Sequence, residues 1–286
     1  MTGHYCSECG QRDVPPYPTV RELASEAVAE FSGWDGRFLT TVRTLITKPG
    51  VLTLEFLQGH RASYLSPLRL YLFASVAYFV VAAAAPSRNA PGARDGGVRL
   101  QVSADTLTIS RPERVAEAAK NAIEDPGKLT AAQRDSALKD IEKAPGIMRP
   151  ILSELVGNPD GFKQKVLQTL PKMLFVLLPL FALILALFYR GRRYPEHLYF
   201  AIHLHTYIFV ALTIIAVARF ARTTIVTTPV ALIGMSSIPI YATRAFRKVY
   251  GGSIAVTLAK EMGIGAIYFV LAILGFIGLL VWVSIF

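Results

Sequence analysis

Charge is scarce in this chain. Only 17% of its 286 residues are Asp, Glu, Lys or Arg, against about a quarter in soluble domains, while 52% are hydrophobic. That shortage excludes a charge-rich disordered protein and points to the membrane class. Cysteine is rarer still: Cys6 and Cys9 are the only two, three positions apart, so no disulfide framework can staple the polar middle of the chain. Acidic residues almost vanish from the carboxyl-terminal part, where residues 170–286 carry ten Lys/Arg against two Asp/Glu. The formal net charge of +10 is therefore spread among apolar runs. This is what anionic lipid headgroups and membrane topology ask for, and it argues against nucleic acid as a partner. The first 65 residues also lack the apolar core of a cleavable signal peptide, which leaves the first membrane helix as the expected targeting signal.

What is present is a set of long apolar runs. Crossing a hydrocarbon core of about 30 Å takes about 20 mainly apolar residues at 1.5 Å each. Five runs meet that length: Pro67–Ala85, Pro171–Tyr189, His197–Val217, Thr224–Ala242 and Met262–Phe286. The fourth is the weakest, because Pro229, Pro239 and several Ser/Thr interrupt it, and a kinked or re-entrant helix is an alternative there. As drawn, the five runs contain neither Asp nor Glu, which argues against an ion-coupled pump built on membrane carboxylates. Basic residues near the span ends favour an amino terminus in the cytosol. The Arg190–Arg193 turn and the Arg244–Lys248 cluster then lie inside, and the carboxyl terminus lies outside.

The polar segments have their own patterns. Val20, Leu23, Ala24, Ala27, Val28 and Phe31 recur at helical spacing, with Arg21, Glu22, Glu26 and Glu30 on other faces. A second amphipathic stretch, Phe38–Ile46, is broken by Pro49-Gly50, and a third, Val51–Leu57, leads to the first span. Residues 1–66 therefore form an expected cytosolic collar of juxtamembrane helices. Residues 86–168 form an extracytoplasmic loop. It opens with a Pro/Gly/Ala/Arg stretch, continues with alternation over Val98–Ser110 that suggests a β-hairpin, and closes with helical character over Pro112–Ala122 and Thr130–Lys143. The expected fold class is an all-α polytopic membrane protein of about five transmembrane helices, with amphipathic amino-terminal helices and a small mixed α/β extracytoplasmic loop.

Three runs in the amino-terminal third carry a resemblance: Cys-Ser-Glu-Cys-Gly-Gln at 6–11, Phe-Leu-Thr-Thr-Val-Arg-Thr-Leu-Ile-Thr-Lys-Pro-Gly at 38–50, and Gly-His-Arg-Ala-Ser-Tyr-Leu-Ser-Pro at 59–67. Together with Glu-His-Leu-Tyr-Phe-Ala-Ile-His-Leu-His at 196–205, this chain resembles the bacterial membrane-protein family named domain of unknown function 3667. The resemblance implies a topology and a bacterial cytoplasmic (inner) membrane, but no reaction. Members of that family often carry two Cys-x-x-Cys pairs, whereas this chain has one.

Candidate chemistry falls into three constellations. Cys6 and Cys9, with His4 as a third ligand, could start a tetrahedral zinc site, the one cofactor the sequence suggests. His60 or a second subunit would have to complete it, and a vestigial knuckle or thiol redox chemistry are the alternatives. His197, His203 and His205 share the third span. At about 100° per residue, His203 and His205 point about 160° apart, so the three cannot meet at one ion on a regular helix. A pocket around His203 or His205, holding a metal or relaying protons, competes with hydrogen-bonded helix packing. Gly59, Arg61, Tyr64, Pro67 and Arg69 suit the membrane interface, either as anchors or as a site for a lipid phosphate or an acidic partner.

No phosphate-cradling glycine loop, nucleophile elbow or His-Glu-x-x-His pair occurs. The sequence therefore points to a non-catalytic scaffold, assembly factor or envelope sensor. Its expected partners are the bilayer, a cytosolic or membrane protein, and conceivably a second copy. The alternative is a transporter or metal-handling protein that uses the third-span histidines. Reporter fusions test the topology: a fusion in the Arg190–Arg193 turn should report a cytosolic location, and an external signal there overturns the assigned orientation.

Overall fold

The computed structural model describes residues 37–86, 116, 119, 120 and 131–285. Nine α-helices account for nearly all of them: α1 Arg37–Thr47, α2 Val51–Leu57, α3 Pro67–Ala84, α4 Ala131–Ile141, α5 Met148–Gly157, α6 Pro159–Phe188, α7 Tyr194–Ala218, α8 Thr224–Tyr250 and α9 Ile254–Ile285. No strand occurs among the described residues. Five of the helices, α3 and α6 to α9, are long and apolar enough to cross a membrane.

Helix boundaries follow local chemistry. Helix α3 starts at Ser66-Pro67, where proline occupies a first-turn position whose N–H would have no partner anyway. It stops at Ala85, which Pro86 holds extended. Helix α7 opens with Pro195 in its first turn, and the Glu196 carboxylate reaches back to accept the Arg193 backbone N–H at 3.2 Å. Helix α8 runs unbroken through Pro229 and Pro239, so the fourth run is one helix rather than two half-spans. It ends at Gly251, whose φ of 74° a side chain would resist.

One expectation needs correction, and three helices begin before the apolar runs that mark them. The mixed α/β loop is not supported: Val98–Ser110 lie outside the described residues, and the described part of that loop is helical. Helix α6 begins at Pro159, twelve residues before the apolar run, because amphipathic turns carrying Phe162, Val166 and Leu170 precede it. Helix α9 likewise begins at Ile254 and takes in Lys260 and Glu261, while α7 takes in Glu196. Glu196 and Glu261 thus belong to these longer helices while lying just before the apolar runs, which contain neither Asp nor Glu. Helices continue past the apolar stretch because headgroup-level turns tolerate charge.

By contacts the chain divides into two units, residues 1–86 with 178–269, and residues 87–177 with 270–286. In the second, Ala137, Ile141, Ala144 and Val156 form a small core between α4 and α5, with Leu138, Leu152 and Leu155 around it. Phe162 forms a second cluster with Leu279 and Val283, and a Lys165–Glu154 ion pair at 3.1 Å ties α6 to α5. This half of the polar loop thus has an apolar centre of its own.

In the first unit, α3 and α8 pack on α7, as do α1 and α2. Leu45, Leu52, Phe56, Leu65, Leu70 and Tyr199 are all nearly inaccessible and form one cluster, with Tyr207 and Val210 against its edge. The collar pair therefore lies along half the length of α7. Two polar contacts fix the chain that links it to α3: the Thr41 hydroxyl donates to the Arg37 carbonyl at 2.7 Å and accepts the Leu65 N–H at 3.0 Å, and Arg37 Nη1 donates to the Ala62 carbonyl at 3.0 Å. At the break between α1 and α2, Gly50 has a φ of 78°, and a Cβ there would meet the Ala245 carbonyl and the Lys248 Cβ at 3.0 Å. Gly50→Val should lower the thermal unfolding midpoint in detergent by several degrees, since the left-handed backbone alone costs roughly 1–2 kcal/mol. Gly191→Ala, with nothing within 4 Å, should leave it unchanged. Equal midpoints for the two variants would mean that the Gly50 contact is not a structural constraint.

Candidate functional site

Helix α7 carries the densest set of buried polar groups in the first unit, and each of its three histidines meets a hydroxyl from a different element. His203 Nδ1 lies 2.9 Å from the Thr53 hydroxyl of α2, with the Phe56 ring 5.5 Å away. His205 Nε2 lies 2.9 Å from the Tyr268 hydroxyl of α9, and its Nδ1 lies 2.8 Å from the Ala201 carbonyl. A carbonyl can only accept, so in the neutral ring Nδ1 carries the proton and Nε2 accepts from Tyr268. His197 Nδ1 lies 2.9 Å from the Tyr250 hydroxyl at the end of α8, and the two rings stack. The three rings thus face three elements, in keeping with their angular separation on the helix. Among the described residues, no three His, Cys, Asp or Glu side chains gather in a metal-ligating group. His4, Cys6 and Cys9 lie outside the described residues.

One of these histidines keeps a spare atom: His203 Nε2 is buried and has no hydrogen-bond partner among the described residues. The His197 ring, by contrast, is within reach of backbone groups of Arg192 and Tyr189. Leaving a buried polar atom unpaired costs about 1–3 kcal/mol. Glu261 is in the same condition: Oε2 accepts from the Thr243 hydroxyl of α8 at 2.7 Å, while Oε1 is buried and unpartnered.

The ends of α6, α7 and α8 meet in a basic and aromatic cluster. Arg192 donates to Glu196 Oε2 at 2.9 Å and to the Val249 carbonyl at 2.6 Å, and lies 5.7 Å over the Tyr250 ring. The Val249 contact satisfies one of the last carbonyls of α8, which a helix cannot satisfy for itself. Lys260 donates to the Phe188 carbonyl at 3.2 Å and sits 4.2 Å over the Tyr189 ring, which stacks on Tyr250. Burial first, and the Glu261 carboxylate second, push the Tyr189 phenol up to about 12, so it stays neutral at physiological pH.

The juxtamembrane residues are used mainly within the protein. Gly59 makes a turn at φ 89°, Arg61 lies 5.8 Å over the Tyr199 ring, Tyr64 packs 6.4 Å from Phe56, and Pro67 opens α3. Arg69 is only 6% exposed and lies 5.6 Å over Phe73. His60 pairs with Glu55 at 3.1 Å on the surface. Sequence reasoning missed Thr53, Tyr250, Tyr268 and Glu261. Only Tyr268, one of two hydroxyls in the apolar run Met262–Phe286, left a visible trace.

A family model described as Protein of unknown function (DUF3667) matches residues 35–79. It takes in the runs at 38–50 and 59–67 and leaves those at 6–11 and 196–205 outside. No curated protein and no solved structure matches the chain.

The hydroxyl partners can be tested singly. Tyr268→Phe and Thr53→Val should each destabilise the detergent-solubilised protein by roughly 0.6 kcal/mol, the average for interhelical hydrogen bonds in membranes, and by no more than about 1.7 kcal/mol. Thr53→Ser should recover most of the second loss. Equal stability of Thr53→Val and wild type would mean the His203 contact contributes nothing.

Proposed function

We propose that this chain is a non-catalytic membrane protein, a scaffold, assembly factor or envelope sensor, whose α1–α2 collar presents a fixed surface to a cytosolic or membrane partner. The observation that carries this reading is the docking of α1 and α2 on α7. The residues that the family model matches are largely spent on holding that pair in place, through Thr41, Leu45, Leu52, Phe56 and Leu65. The outward side of α1 then displays Phe38, Leu39, Arg43 and Ile46. A rigid element with a mixed apolar and basic outer face suits partner contact at a membrane surface.

A second reading, a transporter or metal-handling protein, is favoured by the unpartnered buried atoms His203 Nε2 and Glu261 Oε1. Such atoms suit a proton or a cation in transit.

One paired experiment separates the two. Metal content and vesicle ion flux are measured for a His203→Ala/His205→Ala variant, and cross-linking to co-purified membrane proteins is measured for an Arg43→Glu/Lys48→Glu variant. The scaffold reading expects flux and metal content to be unchanged in the first variant and cross-links to be lost in the second. Loss of metal or flux in the histidine variant, with cross-links intact in the other, replaces it with the transport reading.

A further inference from the structure

Helix α8 is the least buried of the five candidate spans, and one of its faces forms a wall of an open groove of about 270 Å³. Ile46, Thr47 and Pro49 come from the collar side, Tyr207 from α7, and Ile233, Ser236, Ser237, Ile240, Tyr241 and Arg244 from α8. On α8, residues 233, 236/237, 240 and 244 recur at helical spacing, so they lie along one stripe that climbs roughly 16 Å. Polarity changes along that stripe: Ile233 is 69% exposed at one end, the Ser236 and Ser237 hydroxyls lie between, and the exposed Arg244 guanidinium stands at the other.

We propose that this groove is a binding site for an anionic phospholipid, with the headgroup phosphate on Arg244, the glycerol region beside Thr47, and an acyl chain along Ile240 and Ile233. The acyl chain passes the Ser236 and Ser237 hydroxyls, which donate to the Ile233 and Gly234 carbonyls of their own helix and so ask for no partner from the lipid. The charge is complementary as well. Among the described residues Arg244 has no ion-pair partner and no carboxylate lines the groove, and the exposed Arg247 and Lys248 follow it on the same helix. The stacked Tyr207 and Tyr241 rings, 3.6 Å between centroids, give the groove a flat, stiff wall. A guanidinium recognises phosphate through two parallel N–H donors, whereas a zwitterionic headgroup would bring a second positive charge to an already basic helix end. The arginines at which the sequence suggests a phosphate site, Arg61 and Arg69, lie instead over Tyr199 and Phe73.

The test is native mass spectrometry of the full chain in a neutral detergent, titrated with phosphatidylglycerol and, separately, with phosphatidylcholine. One retained phosphatidylglycerol per chain is expected, with phosphatidylcholine at least about tenfold weaker, a difference worth about 1.4 kcal/mol. Arg244→Gln should weaken the phosphatidylglycerol adduct by about the same factor. Ser236→Phe, which fills the groove from an exposed position, should weaken both lipids, and Arg190→Gln, an exposed charge outside the groove, should change neither. Millimolar inorganic phosphate should fail to displace the lipid, because the acyl contacts are part of the site. Equal binding of the two lipids, an equal loss in Arg190→Gln, complete displacement by phosphate, or a homodimer that excludes lipid would each overturn the proposal.

Discussion

A polar side chain enclosed in an apolar bundle cannot turn to water, so it has to be satisfied by the protein itself. Much of the first unit is arranged around that constraint. Thr53 reaches His203, Tyr268 reaches His205, Tyr250 reaches His197, and Thr243 reaches Glu261. Each pair joins two different helices, and three of the four converge on α7. An apolar interface in lipid gains little from burial, since the tails offer equivalent surroundings, so these directional contacts decide which faces meet. The arrangement of α2, α8 and α9 about α7 thus follows from where α7 places its imidazoles.

The collar shows the same logic at the edge of the bundle. An amphipathic pair of short helices with Phe38, Leu39 and Ile46 outward would slide along a membrane surface if only its apolar face held it. The double role of Thr41, donor to Arg37 and acceptor from Leu65, and the Arg37 contact to Ala62 turn that loose association into a fixed one. This explains why a family model can be recognisable over residues 35–79 without a reactive constellation in it. In this chain the residues from Arg37 to Leu65 build a joint.

How much of this could be read beforehand varied with the range over which the cause acts. The limits of α3 were legible because Ser66-Pro67 and Pro86 are local signals, and the break at Pro49-Gly50 was legible for the same reason. The start of α6 was not, since Phe162, Val166 and Leu170 are diluted by Lys163 and Lys165 and reach a core only through Leu279 and Val283, more than a hundred residues on. The angular dispersion of the three histidines followed from helix geometry alone. Their partners did not, because 53, 63 and 150 residues separate the members of the pairs. The helices outlast their apolar runs at Glu196 and Glu261, an extension that charged residues hide from a hydropathy reading.

The close approach of Gly50 to Ala245 has a consequence for biogenesis. The surface that seats the bend between α1 and α2 is synthesised about 195 residues after the bend itself, which at 5–20 residues per second is a delay of roughly 10–40 s. Until α7 is made, about 150 residues after the bend, the collar has its apolar side formed and no such helix to lay it on, and the α8 surface follows later still. The membrane surface near the site of insertion is the natural resting place for the collar. A chain built this way completes its first helices last, and its amino-terminal joint closes as one of the final acts of assembly.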